Sequence, residues 1–283
     1  MPDSATQLIE LALTEDLGEG DVTSLYFIPE ERRARAWVAV RTRGVVSGVS
    51  LAARVFTRVD PHLQVEILIP DGSHVSDGAL LMRVEGTARS ILSAERCALN
   101  FLQHLSGVAS LTAQYVERVH GTHARILDTR KTTPGYRLLE KQAVLHGGGT
   151  NHRLGLYDRA MVKDNHLVAE GGTAALQAAI LRLHAEKPGI EVQLEADHLA
   201  QVRAFLAMEG VDHILLDNMS LDELREAVAA RGEHINPLLE ASGGVTLETV
   251  RDIAHTGVDF ISVGALTHSA PALDIGLDFT LQE

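Results

Sequence analysis

Seven basic side chains fall between Asp128 and His166: Arg130, Lys131, Arg137, Lys141, Arg153, Arg159 and Lys163, against the four acids Asp128, Glu140, Asp158 and Asp164. The 283-residue chain as a whole carries a net charge of −13, so this window is a basic island in an acidic protein. It also holds three consecutive glycines, Gly147 to Gly149, and the run Asn151-His152-Arg153, which a plain amphipathic helix would not use. A solvated helix laced with surface ion pairs is the bland alternative. The pattern favours a site that gathers a small anion, because arginine offers a planar fork of donors to carboxylate or phosphate groups.

Further along, Glu195 and Asp217 each close a short apolar run. Two carboxylates facing such cations suit a Mg²⁺ ion shared with substrate phosphates. "SGG" (242–244) follows an apolar run and precedes the helical pattern "TLETVRDIAHTG", so bare backbone N–H groups and a helix N-terminus could hold a phosphate there. "GALTH" (264–268) follows the next run and could close the other side.

These groups lie far apart in the chain, so the elements between them must bring them together. Residues 4–13 have helical spacing, and "ARAWVAVRTR" alternates Ala34, Ala36, Val38 and Val40 against Arg35, Trp37 and Arg41, the pattern of a half-buried strand. "LQVEILI" (63–69) and "LLMRVEG" (80–86) read as further strands, with helices near 50–59 and 88–104, an α+β arrangement. After Gly107 short apolar runs at 125–129, 160–164, 191–196, 213–218, 237–244 and 259–268 alternate with helical stretches. That rhythm predicts a parallel sheet closed as a (β/α) barrel, with a doubly wound open sheet as the competing architecture. The runs end in Asp128, Lys163, Glu195, Asp217, Ser242 and Gly264. In a parallel barrel such C-terminal ends face one mouth, where barrel enzymes place their chemistry.

Composition removes other classes. With 45% hydrophobic residues the chain can fill a core and is not disordered. An acidic surface repels nucleic acid and anionic membrane. One cysteine, Cys97, excludes an intrachain disulfide and a cysteine-based zinc site, and with no basic, apolar leader the reading is a cytoplasmic protein. His146, His152, Asp164 and His166 lack the spacing of zinc ligands, and neither a G-x-G-x-x-G after the first strand nor a P-loop occurs. "DGSHVSDGALLMRVEG" has the strand–turn pattern of a lipoyl carrier, but no lysine precedes Lys131. A binding protein that keeps the pocket without catalysis is the remaining rival class, disfavoured by the full set of charged strand ends.

The segments "EDLGEGDVTS", "SAERCALNFLQHLSGVASLT", "LDTRKTTPGYRLLEKQAVLHGGGTNHRLGLYDRAMVKDNH", "LLDN", "EASGG" and "VGALTHS" resemble the quinolinate phosphoribosyltransferase family almost end to end. The resemblance implies α/β architecture: an N-terminal α+β sandwich domain over 1–106, joined by 270–283, followed by an incomplete parallel (β/α) barrel over 107–269. It implies transfer of phosphoribosyl from phosphoribosyl pyrophosphate to quinolinate with decarboxylation, giving nicotinate mononucleotide, pyrophosphate and CO₂. It implies Mg²⁺ as cofactor and a homodimer or higher even oligomer with shared sites. Arg130, His152, Arg153 and Lys163 would hold the diacid, and Arg96 would reach it from a neighbouring subunit. Lys131, Glu195 and Asp217 would engage phosphoribosyl pyrophosphate and its metal, and Ser242, Gly243, Gly264 and His268 a phosphate. One departure stands out: Gln193 occupies a position where the family often has an acid.

Overall fold

The computed structural model of the chain describes residues 4–163 and 172–281, so Asp164 and His166 lie outside the described residues. Two compact units emerge: Met1–Ala113 with Thr133–Gly148 and Ser269–Glu283, and Gln114–Thr132 with Gly149–His268. Thr133–Gly148, which sequence order groups with the barrel, clusters with the first unit.

The first unit is built on β1 (Arg33–Val40), where Ala34, Ala36 and Val38 are buried and Arg33 and Arg35 exposed. It sits inside a four-stranded sheet of order β12-β1-β5-β3, with β3 (Gln64–Ile67), β5 (Leu80–Thr87) and β12 (Ile275–Leu281). All three pairings in that sheet are antiparallel. Helix α3 (Val49–Val59) covers β3 and β5 with Ala52, Val55 and Phe56, spaced at helical period. A two-stranded ribbon joins β2 (Gly44–Val45) to β4 (His74–Val75). Helices α1 (Ser4–Leu17) and α2 (Val22–Phe27) precede this core.

The helical patterns on either side of Gly107 prove to be one helix, α4 (Ala88–Arg118). Glycine inside a helix costs about 1 kcal/mol relative to alanine, and here it has a packing reason. A Cβ on Gly107 would collide with the Pro271 carbonyl, so the glycine admits the returning C-terminal chain.

Cys97, on α4, is buried with Sγ 3.3 Å from the Ala12 carbonyl. Burial, then the charges of Asp16 and Glu15, push its thiol up to about 11. The thiolate is the reactive form. Iodoacetamide at pH 8 is therefore expected to label Cys97 only after the protein is unfolded in guanidinium; rapid labelling of the native protein, read by mass spectrometry, would contradict this packing.

In the second unit six strands run parallel in the order β6-β11-β10-β9-β8-β7. They are β6 (Arg125–Leu127), β7 (Arg159–Val162), β8 (Glu191–Ala196), β9 (His213–Asp217), β10 (Leu238–Ser242) and β11 (Phe260–Ser262). Helices α6 (Thr173–Glu186), α7 (Leu199–Leu206), α8 (Leu221–Arg231), α9 (Val250–Ala254) and α10 (Ala265–His268) alternate with them, while α5 (Arg137–His146) belongs to the first unit. Among the described residues β6 and β7 do not pair with each other, which leaves the barrel incomplete. Strand side chains alternate in direction. Val192 and Leu194, Ile214 and Leu216, and Leu239 and Ala241 are the apolar set, while Glu195, Asp217, Glu240 and Ser242 fall on the other face and line a cavity. Among the described residues no helix is long and apolar enough to cross a membrane.

Candidate active site

A cavity of about 780 Å³ opens where the parallel strands end. Its cationic wall begins after β6. Asp128, fully buried, accepts a hydrogen bond from the His152 backbone N–H at 2.8 Å, and Leu127 pairs with Thr150 in parallel fashion. This tether holds residues 150–153 against β6, so that Arg130, His152 and Arg153 line one wall. Arg153 donates to the Arg159 carbonyl at 3.2 Å and approaches the Met161 sulfur at 3.5 Å. Burial and the neighbouring Arg130 charge lower the Arg153 pKa, so its guanidinium is a cation whose charged form an anion would stabilise.

The acids come from the ends of β8 and β9. Lys163 Nζ lies 2.9 Å from Glu195 Oε2, across the β7–β8 pair. Glu195, Asp197 and Asp217 each offer an oxygen, all within 4.8 Å of one another. Two short loops set this spacing, because the helices that follow start at once. A capping box between His198 and Gln201 begins α7, and one between Ser220 and Glu223 begins α8. Asn218, at φ 54°, donates from its side chain to Asp217 Oδ2 at 2.8 Å and fixes that carboxylate's direction.

The far end is a glycine-rich lip. Gly243 has φ +102°, and a Cβ there would collide with Asn218, so only glycine fits between that side chain and the cavity. Here the structure corrects one expectation. The helix after "SGG" is only α9, beginning at Val250, because Thr246 and Thr249 first form a turn in which the Val250 N–H bonds to the Thr246 carbonyl. Loop residues Gly243 to Thr246, and no residue of α9, line the cavity beside Ser242. Across from them the Lys131 and His268 side chains flank Gly264, and Thr267 Oγ1 donates to the Lys131 carbonyl at 2.8 Å.

Eleven of the twelve site residues named from sequence thus line one cavity: Arg130, Lys131, His152, Arg153, Lys163 and Glu195 on its charged walls, with Asp217, Ser242, Gly243, Gly264 and His268 toward the lip. Arg96 does not. It lies on α4 in the first unit, its side chain 58% exposed beside Glu95. Of the imidazoles weighed for zinc, His146 bonds to Ser47 Oγ at 2.8 Å in the first unit and is absent from the cavity. Gln193 is fully buried and bonded to His152 and Glu240.

Sequence reasoning passed over Glu240, Asp197, Asn218 and Ser262. Glu240 sits two residues before Ser242 in one strand, so period-two alternation alone would have aimed it into the barrel. It is fully buried, with Gln193 Nε2 donating to one carboxylate oxygen and Ser262 Oγ to the other.

Two family models cover this chain: quinolinate phosphoribosyl transferase, C-terminal domain, over residues 108–278, and quinolinate phosphoribosyl transferase, N-terminal domain, over residues 21–106. The chain belongs to the quinolinate phosphoribosyl transferase family. Its relatives include the mitochondrial quinolinate phosphoribosyltransferase [decarboxylating] 2a of Nicotiana tabacum, 43% identical over 95% of this chain and 80% of that one. The nicotinate-nucleotide pyrophosphorylase [carboxylating] of Mycobacterium leprae is 42% identical over 98% of this chain and 97% of its own. Among solved structures, NadC from Streptococcus pyogenes superposes with a TM-score of 0.91 at 37% identity, covering 100% of this chain and 99% of that one. This family agrees with the resemblance read from the sequence, and its fold agrees with the antiparallel unit and open parallel barrel described above.

Proposed function

We propose that this enzyme transfers the phosphoribosyl group of phosphoribosyl pyrophosphate to quinolinate and decarboxylates the product, releasing nicotinate mononucleotide, pyrophosphate and CO₂ for NAD biosynthesis. The observation that carries this reading is the division of one cavity into a cationic wall, an acidic wall and a glycine-rich lip. Arg130, Arg153 and Lys163, with His152 beside them, suit the two carboxylates of a pyridine diacid. Lys131, His268 and the loop N–H groups beside Ser242, Gly243 and Gly264 suit phosphate.

The donor set also fits Mg²⁺, since Glu195, Asp197 and Asp217 offer hard oxygen donors within 4.8 Å of one another. Held there, the ion would supply charge neutralisation to the departing pyrophosphate. The chain's own residues do the rest. Holding the diacid by its carboxylates aims the pyridine nitrogen lone pair at the anomeric carbon, so the C–N bond forms as the C–O bond breaks and its electron pair leaves with pyrophosphate. Glu195 and Asp217 stabilise positive charge on the ribose as that bond loosens. The ring nitrogen needs no general base. Once it is quaternary, the C2–carboxylate bond can release CO₂; its electron pair stays on C2 beside the positive nitrogen until a proton takes it.

Mixing the enzyme with quinolinate, phosphoribosyl pyrophosphate and Mg²⁺ is expected to release pyrophosphate and CO₂ in equal amounts, with no reaction when nicotinate replaces the diacid. Release of neither product would leave a binding protein and overturn the reading.

The exposed position of Arg96 on α4 supports a partner in an even oligomer, each copy lending Arg96 to the other's cavity. An Arg96→Ala chain mixed with an Arg130→Ala chain is then expected to regain activity, since a mixed dimer holds one intact site. Confirmed mixed dimers without activity would remove the shared site. The lone, reduced Cys97 suits a reducing compartment, and we place the enzyme in the cytoplasm.

A further inference from the structure

A chain of hydrogen bonds runs from the cationic wall into the barrel interior. The Arg153 main-chain N–H donates to His152 Nδ1 at 2.7 Å. A nitrogen that accepts carries no hydrogen, so the ring's hydrogen is on Nε2. Nε2 faces Gln193 Oε1 at 3.0 Å. That orients the amide, whose Nε2 donates to Glu240 Oε2 at 2.7 Å. Ser262 Oγ donates to the other Glu240 oxygen. Gln193 and Glu240 are fully buried, so every polar atom in this chain must find its partner inside the protein.

We propose that Glu240 is a positioning residue for the diacid end of the cavity: acting through the Gln193 amide, it fixes the His152 tautomer and with it the main chain that presents Arg153. The direction of each bond follows from the one end that cannot reverse. An ionised carboxylate only accepts, so Gln193 must turn its NH₂ toward Glu240 and its oxygen toward His152, which must then donate from Nε2. This leaves Nδ1 bare to receive the Arg153 N–H. Glu240 also lies 3.5 Å from His152 Nε2, close enough to reinforce the same choice. A glutamate at position 193 would instead set two carboxylates against each other.

The proposal deepens the functional reading given above, and its test separates the two. In ¹⁵N spectra of imidazole-labelled, substrate-free protein, the His152 signals, assigned by their loss in His152→Asn, should show a bare Nδ1 and a hydrogen-bearing Nε2. In Glu240→Gln the end of the chain becomes a donor. Gln193 then turns, its NH₂ meets Nε2–H, and the ring hydrogen moves to Nδ1 at the expense of the Arg153 contact. Losing that net hydrogen bond should raise the KM for quinolinate about tenfold, with the KM for phosphoribosyl pyrophosphate unchanged. The Gln193→Glu/Glu240→Gln double variant puts the acceptor next to His152 and should restore both the spectrum and the KM. Should Glu240→Gln fail to fold, Gln193→Leu cuts the relay and leaves Nε2 only the 3.5 Å approach of Glu240, so the preference for a hydrogen on Nε2 is expected to weaken and the KM for quinolinate to rise.

A hydrogen on Nδ1 in the wild type overturns the proposal, as does a His152 spectrum that neither single variant moves. A double variant no better than Glu240→Gln reduces Glu240 to packing. A wild type that turns over no quinolinate would remove the functional reading, and the spectra would still decide the relay.

Discussion

An Arg130→Ala enzyme is expected to need far more quinolinate for half-maximal rate while keeping its fold. Arg130 lies on the loop after β6, half-buried in the cationic wall beside Arg153. A guanidinium fork on a carboxylate makes two charge-assisted bonds, each contributing about 1.5–3 kcal/mol. Losing both raises the quinolinate KM by about two to four orders of magnitude, since each 1.4 kcal/mol is tenfold. Arg130→Lys keeps the charge without the fork and should recover only part of the loss. The measurement is a quinolinate titration at saturating phosphoribosyl pyrophosphate, with circular dichroism as the check on folding. An unchanged KM would take Arg130 out of the diacid site.

The second large effect is expected at Asp217. Asp217→Asn preserves shape at the end of β9, so the change removes charge and little else. Asn218, which now donates to Asp217 Oδ2, can still find the remaining amide oxygen. What is lost is negative charge next to the ribose where positive charge develops, and groups placed to stabilise developing charge contribute about 10²–10³-fold in kcat. The same carboxylate is one of three oxygen donors within 4.8 Å of one another, so the variant should also need more Mg²⁺ to reach its maximal rate. Glu195→Gln should fall in kcat as well and also remove the carboxylate that Lys163 pairs at 2.9 Å. A full-rate Asp217→Asn enzyme with an unshifted Mg²⁺ requirement would move both the charge stabilisation and the metal elsewhere.

The barrel was legible because parallel strands buried on one face and helices between them leave two different periods in the sequence. Ends such as Asp217 and Ser242 were readable because each breaks an apolar run. What the sequence hid has three physical causes. A glycine in a helix looks like a break, and at Gly107 only the passing Pro271 carbonyl reveals a close approach. Asp197 and Asn218 lie just past their strands, where a polar residue is expected for solvation alone; their use depends on two capping boxes that start α7 and α8 at once. Glu240 is the sharpest case. Alternation with Ser242 aims it into the barrel, but the sequence does not show that its burial is tolerated there, which depends on partners from β8 and β11. Arg96 shows the converse: motif likeness named it, whereas within one chain it sits on the surface of α4.

The place of β12 bears on how the protein is made. This strand is drawn from residues 275–281 and pairs along the whole length of β1, residues 34–40. The first unit's sheet therefore cannot be finished until residues 275–281 have left the ribosome. Every strand of the barrel is synthesised before that moment, and domains tend to fold as units as they emerge. During synthesis β1 keeps one edge bare, a template for unwanted pairing. The sheet begun before the barrel is completed after it, and a nascent chain stalled before residue 275 should be the form most prone to capture by chaperones.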